Sequence, residues 1–118
     1  MTVCGLDVTK RVWLREASLS QIREAAGSIG SLLEDQVRRW WSSIGAHANN
    51  LHDPVAILPA IRPDLFRFEQ CDVRVELDNM EPGRTYVDHC GEGAVRIAAD
   101  IEAEAAEQEI VRRIVTQG

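Results

Sequence analysis

The stretch Leu51-His52-Asp53-Pro54 decides how the fold is read, because it places a proton-transfer group and a carboxylate where a helix begins. An Asp before a Pro favours a helix start, because the carboxylate accepts hydrogen bonds from main-chain N–H groups and the proline suits the first turn of a helix. We therefore predict that Asp53 caps a helix. The adjacent histidine favours a second interpretation, in which both side chains face a shared cleft.

The segments around this stretch resemble a known family. Gly5-Leu6-Asp7-Val8-Thr9 lies upstream, His52–Ala56 lies in the middle, and Val73–Leu77 with Gly83-Arg84-Thr85 follows. In that order they resemble the C-terminal part of the inosine-uridine preferring nucleoside hydrolases. Family members open with an Asp-rich metal-binding segment that has no counterpart in this sequence. We therefore expect a single domain over residues 1–118 that corresponds to the C-terminal part only.

Periodicity predicts an α/β fold with the order strand, three helices, three strands and helix. Helix starts are predicted from the spacings Ser18 to Gln21 and Ser31 to Glu34, which are typical of capping boxes. Alternating apolar residues predict the later strands, and the second and third of the four strands form a hairpin around Pro82-Gly83. The predicted strands are Thr2–Cys4, Asp72–Asp78, Arg84–Asp88 and 95–101, and the last helix runs from Glu102 to Thr116. With the resemblance, this order implies a portion of an open, nucleoside-hydrolase-like sheet.

Two tryptophans and a proline mark the middle helices. Trp40 and Trp41 recur with other apolar residues at helical spacing, so we expect at least one of them in the core and the other at a contact surface. Gly45 is predicted to end that helix. Pro59 falls inside the helix that starts near Asp53 and is expected to kink or shorten it.

Composition excludes several classes of partner. The chain carries 13 Lys plus Arg against 19 Asp plus Glu, a net charge of -6, so nucleic acid is not an expected partner. The sequence has no apolar run of membrane-spanning length, so a membrane is not expected either. Cys4, Cys71 and Cys90 are odd in number and widely spaced, which favours reduced thiols in the cytoplasm over a disulfide framework.

The resemblance assigns roles to two side chains. It implies that Asp53 is a ligand of Ca²⁺ and that His52 protonates or polarises the departing base of a ribonucleoside. The chemistry agrees, since Ca²⁺ prefers carboxylate oxygen and histidine changes its charge near neutral pH. A calcium site takes about six to eight oxygens. These residues are therefore expected to finish an active site whose other ligands lie elsewhere.

Other interpretations stay open beside this one. His52 and Asp53 also fit an ordinary helix start with a surface histidine. The whole chain also fits a non-catalytic homologue that binds or self-associates through uncovered strand edges, and we expect a homo-oligomer. Asp7 and Thr9 are predicted near a cleft at a strand end, and Asp7 fits a cap of the following turn equally well. Asp88, His89, Cys90 and Glu92 include metal-binding residue types, yet a solvated polar loop is the favoured interpretation there.

Overall fold

The computed structural model describes residues 1–78 and 80–117, and its elements follow the predicted order with several additions. The elements, in chain order, are β1 (Thr2–Val3), α1 (Leu6–Thr9), β2 (Trp13–Leu14), α2 (Glu16–Ala25), α3 (Gly27–Ile44), β3 (Asn49–Asn50), α4 (His52–Ile61), a 3-10 turn (Pro63–Leu65), β4 (Phe66–Val75), β5 (Thr85–Asp88), β6 (Val95–Ile101) and α5 (Ala103–Gln117).

The main sheet is open and four-stranded, with the order β1-β6-β4-β5. β1 runs parallel to β6, whereas β4 is antiparallel to both β6 and β5. The predicted hairpin is therefore β4–β5, and β5 lies at the edge remote from β1. The two short strands β2 and β3 pair with each other in a separate antiparallel sheet. The predicted α/β class with an open sheet is confirmed.

Helices pack against one face of this sheet. Phe66 and Phe68 of β4 contact a core cluster that includes buried residues of α1, α4 and α5. The buried residues of this main cluster are Val8, Val12, Val55, Leu58, Leu65, Ala98, Ile101, Ala106 and Ile110. A second cluster joins α2 and α3 to α5 and contains Leu14, Leu19, Ile22, Ala26, Trp41 and Val111. Trp41 is buried and Trp40 is exposed, so the prediction that at least one tryptophan is core is confirmed.

α5 is fixed by acidic side chains as well as by its apolar stripe. The buried Glu109 accepts hydrogen bonds from Arg112 and Arg113 of its own helix and pairs with Arg62 at 3.1 Å. These hydrogen bonds, with that of Arg112 first, lower the pKa of Glu109 to about 2. The carboxylate is therefore ionised near neutral pH, and it ties α5 to the end of α4.

The predicted helix starts are wrong for α2 and α3, although the end of α3 is confirmed. Ser18 lies inside α2, where its hydroxyl donates to Glu107, and Ser31 lies inside α3, where its hydroxyl donates to a main-chain carbonyl. A tertiary partner thus uses the Ser18 hydroxyl, whereas the Ser31 hydroxyl bonds back to the preceding turn of its own helix. α3 ends where predicted, at Gly45, whose φ of 66° suits glycine.

β4 begins six residues earlier than predicted, at Phe66. The segment has weak alternation, but Phe66 pairs with Ile101 and Phe68 with Ala98 across the strands, and this burial extends the strand. The sequence patterns also missed α1, β2 and β3, which are too short for periodicity to detect.

The cysteines depart from the predicted reduced state, because Cys71 and Cys90 form a disulfide while Cys4 is free. The hairpin and the loop after β5 bring the Cα atoms of the pair to 4.2 Å. Gly93 permits this approach, since a Cβ there would lie 1.7 Å from the carbonyl carbon of Cys71. The cytoplasmic prediction loses this support. Within the described ranges, no helix combines the length and apolar composition needed to cross a bilayer.

Candidate functional site

The candidate site lies beyond the carboxyl end of β1, where α1 meets the first turn of α4. This edge is a frequent ligand position in open α/β sheets. The main-chain N–H of Leu51 donates to the carbonyl of Val12 at 3.1 Å, which fixes the chain just before α4. Val55 and Leu58 are buried beneath the helix. The start of α4 is thus fixed by a main-chain hydrogen bond just before the helix and by apolar packing within it.

Asp53 does not cap α4, contrary to the prediction. The helix begins at His52, and Leu51 occupies the capping position without a side-chain bond. Asp53 sits in the first turn and is exposed. In the part of the chain that the structure describes, its carboxylate has no hydrogen-bond partner. Both oxygens remain free for a ligand, and a carboxylate in the first turn also suits the helix dipole.

His52 is held through one nitrogen of its ring. Its Nδ1 lies 2.8 Å from the hydroxyl oxygen of the buried Thr9, and that hydroxyl is also 3.5 Å from the carbonyl oxygen of Leu6. Either the hydroxyl donates to Nδ1, or it donates to the carbonyl and accepts from Nδ1–H. In both arrangements Nδ1 is engaged and Nε2 is left for a ligand. Thr9, which is predicted near a cleft at a strand end, lies in α1 and is buried.

A groove of about 330 Å³ lies against the exposed side of α4, and neither His52 nor Asp53 is among its lining residues. Its lining residues are Thr2, Cys4, Ala56, Ile57, Pro59 and Ala60. Ala56 follows His52 by one helical turn and Ile57 follows Asp53 by one turn, so the two polar side chains stand at one end of the same helix face. Burial and the nearby Asp7 raise the pKa of the Cys4 thiol, which stays protonated.

The described residues do not build a calcium site by themselves. The one group of three metal-capable side chains within these ranges is Glu69, Cys71 and Cys90, and two of its members are bonded to each other. Asp53 belongs to no such group. Its free oxygens suit a hard cation, but a full coordination shell requires ligands from outside the described residues.

A metal site around the end of β5 and the loop after it is also not supported by the geometry. Asp88, His89, Cys90 and Glu92 are all exposed, and Cys90 is bonded to Cys71. His89 has a positive φ of 48° and lies 3.6 Å from Asp72. The favoured interpretation, a solvated polar loop, agrees with this exposure.

The sequence of the chain matches a known protein family. A sequence profile of the inosine-uridine preferring nucleoside hydrolases matches residues 1–114. The chain belongs to this family. Nucleoside hydrolases of this family bind a metal ion.

Curated relatives of this nucleoside hydrolase chain are much longer than the chain itself. Uridine nucleosidase 1 of Arabidopsis thaliana is 33% identical over 92 residues, which cover 75% of the chain and 27% of the relative. The non-specific ribonucleoside hydrolase RihC of Escherichia coli O9:H4 (strain HS) is 30% identical over 113 residues, which cover 92% of the chain and 37% of the relative. The chain therefore spans about a third of the length of the curated relatives it matches.

Solved structures agree on the fold. A purine-preferring ribonucleoside hydrolase from Gardnerella vaginalis superposes with a TM-score of 0.81 at 23% identity, covering 98% of this chain and 39% of the other. The nucleoside-hydrolase architecture predicted from the sequence is thus confirmed for these elements.

Proposed function

We propose that this chain supplies the leaving-base end of a ribonucleoside hydrolase site, and that it corresponds to the C-terminal part of such an enzyme. The observation that carries the proposal is the geometry of His52. One ring nitrogen is held by the buried Thr9, the other has no hydrogen-bond partner among the described residues, and the exposed Asp53 carboxylate follows it in the first turn of α4. Family membership supplies the reaction class.

Hydrolysis of an N-glycosidic bond breaks the bond between C1′ of ribose and a base nitrogen and forms a bond from C1′ to a water oxygen. Positive charge develops on the ribose as the base departs with the bond electrons. In this proposal, protonated His52 donates the Nε2 proton to the departing base, which leaves neutral. The proton lost by the attacking water goes to a base outside the described residues.

A chimera tests the proposal directly. In it, the part of this chain that matches RihC, 92% of its length, replaces the corresponding segment of RihC, so that the remaining ligands are supplied by the relative. We expect ribose release from uridine or inosine by the chimera and little or none by the isolated chain. A chimera with native-like circular dichroism and no ribose release would count against the assignment.

Asp53 is proposed as one ligand of a calcium ion, and replacing it by Ala is expected to weaken calcium binding by the chimera by at least about tenfold. The carboxylate contributes both oxygen ligands and charge to the site. Isothermal titration with CaCl₂ measures the change. Asp35→Ala is a control, since Asp35 is an exposed carboxylate paired with Arg39 on α3. Equal affinities for the two variants would remove Asp53 from the ligand set.

A further inference from the structure

Two cysteines and a glutamate lie together at the end of the main sheet that β4 and β5 form. Glu69 and Cys71 are two residues apart on β4, so their side chains point to the same face of the sheet. Cys90, in the loop after β5, is bonded to Cys71. The two sulfur atoms and a carboxylate oxygen of Glu69 all lie within 4.8 Å of one another. We refer to these three side chains as the thiol cluster.

Main-chain hydrogen bonds hold the cluster together independently of the sulfur–sulfur bond. The N–H groups of Gly91 and Gly93 both donate to the carbonyl of Gln70, at 2.7 and 3.4 Å. These bonds fix the loop that carries Cys90 to the residue just before Cys71. The ladder between β4 and β5 begins at the next residue of β4. Reduction of the disulfide is therefore expected to leave both sulfur atoms near the carboxylate.

The thiol cluster is enclosed on one side and open on the other. Cys71 is 1% exposed, Glu69 is half-buried and Cys90 is exposed. Arg67 forms an ion pair with one carboxylate oxygen of Glu69, and the second oxygen can bind a cation. A cation can therefore enter from the side of Cys90 and reach donor atoms that are partly shielded from solvent.

After reduction the donor set is two sulfur atoms and one carboxylate oxygen. Thiolates select soft or borderline cations, and Zn²⁺ is bound by cysteine sulfur and glutamate oxygen in sites that keep a fourth position for water. Ca²⁺ prefers a shell of oxygen atoms, so it does not suit this set. The set also differs from the exposed run Asp88 to Glu92, because two of its three donors lie on β4.

We propose that the reduced thiol cluster is a binding site for a divalent cation of the zinc class, with Cys71, Cys90 and Glu69 as its protein ligands. A phosphine reductant gives two electrons to the S–S bond, and one water molecule gives two protons to the sulfur atoms and its oxygen to phosphorus. The products are two thiols and a phosphine oxide. The thiols then lose their protons as the metal–sulfur bonds form.

The disulfide and the cation exclude each other in this site, since both use the same two sulfur atoms. Each of them ties the loop after β5 to β4, so the cation replaces the covalent link when the chain is reduced. The cluster lies at the end of the sheet remote from β1, whereas His52 and Asp53 lie beyond β1. The site is therefore independent of the proposed function.

Titration of the 118-residue chain with Cd²⁺, in the presence and absence of a phosphine reductant, tests the site. Cd²⁺ is the probe because its bond to a thiolate gives an ultraviolet charge-transfer absorption. We expect one Cd²⁺ for each reduced chain, with this absorption, and no binding at the cluster in the oxidised chain. Oxidised and reduced chains with the same affinity, or a reduced chain without the absorption, would overturn the inference.

Variants identify the ligands. Loss of a group that only orients a metal ligand costs about 10- to 100-fold in affinity, so Glu69→Gln, which removes a ligand itself, is expected to weaken Cd²⁺ binding by at least about tenfold. Glu92→Gln is the matched control, since Glu92 is exposed in the same loop and lies outside the cluster. Equal affinities for the two variants would remove Glu69 from the site and overturn the proposed ligand set.

Alkylation of the unmodified, reduced chain with iodoacetamide gives a second measurement that needs no variant. Zn²⁺ is expected to slow the modification of Cys71 and Cys90, read by mass spectrometry, because a metal-bound sulfur is a weaker nucleophile. Cys4, the free cysteine beside β1, is the internal control, and its rate is expected to stay unchanged. Equal rates at Cys71 and Cys90 with and without Zn²⁺ would contradict the site, as would equal protection of all three cysteines.

Discussion

Replacing His52 with Ala in the RihC chimera is expected to lower kcat for inosine by about 10²- to 10⁴-fold, the usual contribution of a general acid. The loss arises because the base must then depart without a proton. A nitrophenyl riboside has a leaving group that needs no protonation, so its kcat is expected to change much less. Steady-state kinetics on both substrates measure the difference.

Thr9→Val is the companion variant, since it removes the hydroxyl that holds Nδ1 of His52 while keeping a similar side-chain volume. We expect about a tenfold loss of kcat for inosine, in line with one lost hydrogen bond. Thr9→Ser is expected to restore kcat, because it keeps the hydroxyl. Equal losses on inosine and the nitrophenyl riboside after His52→Ala would show that His52 is not the acid.

The fold was predictable where a pattern was long and local. The alternation of Val95, Ile97 and Ile101 predicted β6, and the predicted last helix is confirmed as α5, in which Ala106 and Ile110 are buried. Prediction failed where contacts between residues far apart in the sequence determine the local structure. Ser18 looks like a cap in the sequence, yet its hydroxyl donates a hydrogen bond to the carboxylate of Glu107, far along the chain.

The candidate site was predictable in its residues but not in its geometry. The spacing of His52 and Asp53 at a helix start follows from the sequence, whereas the contact between His52 and Thr9 crosses 43 positions and depends on how α1 packs on α4. The free carboxylate of Asp53 was also not predictable, because an Asp before Pro is normally a cap. Cys71 and Cys90 are a similar case, since only the hairpin brings them together.

Leu58→Ala is expected to lower the free energy of unfolding by about 2–5 kcal/mol, because it leaves a cavity beneath the helix that carries the site. Leu58 is 1% exposed and packs in the main core cluster. Its neighbour Ile57 is 61% exposed on the other side of α4 and provides the matched control. Ile57→Ala is expected to change the free energy of unfolding by less than about 0.5 kcal/mol.

Urea unfolding of the two variants and the unmodified chain, followed by circular dichroism, measures both changes. A large loss for Leu58→Ala with a small one for Ile57→Ala is the result expected if α4 packs by its Val55 and Leu58 side, which is the orientation that exposes His52 and Asp53. Equal losses would mean that the helix is rotated about its axis. The two polar side chains would then no longer share an exposed face of α4, and the proposed proton donor would lose its position.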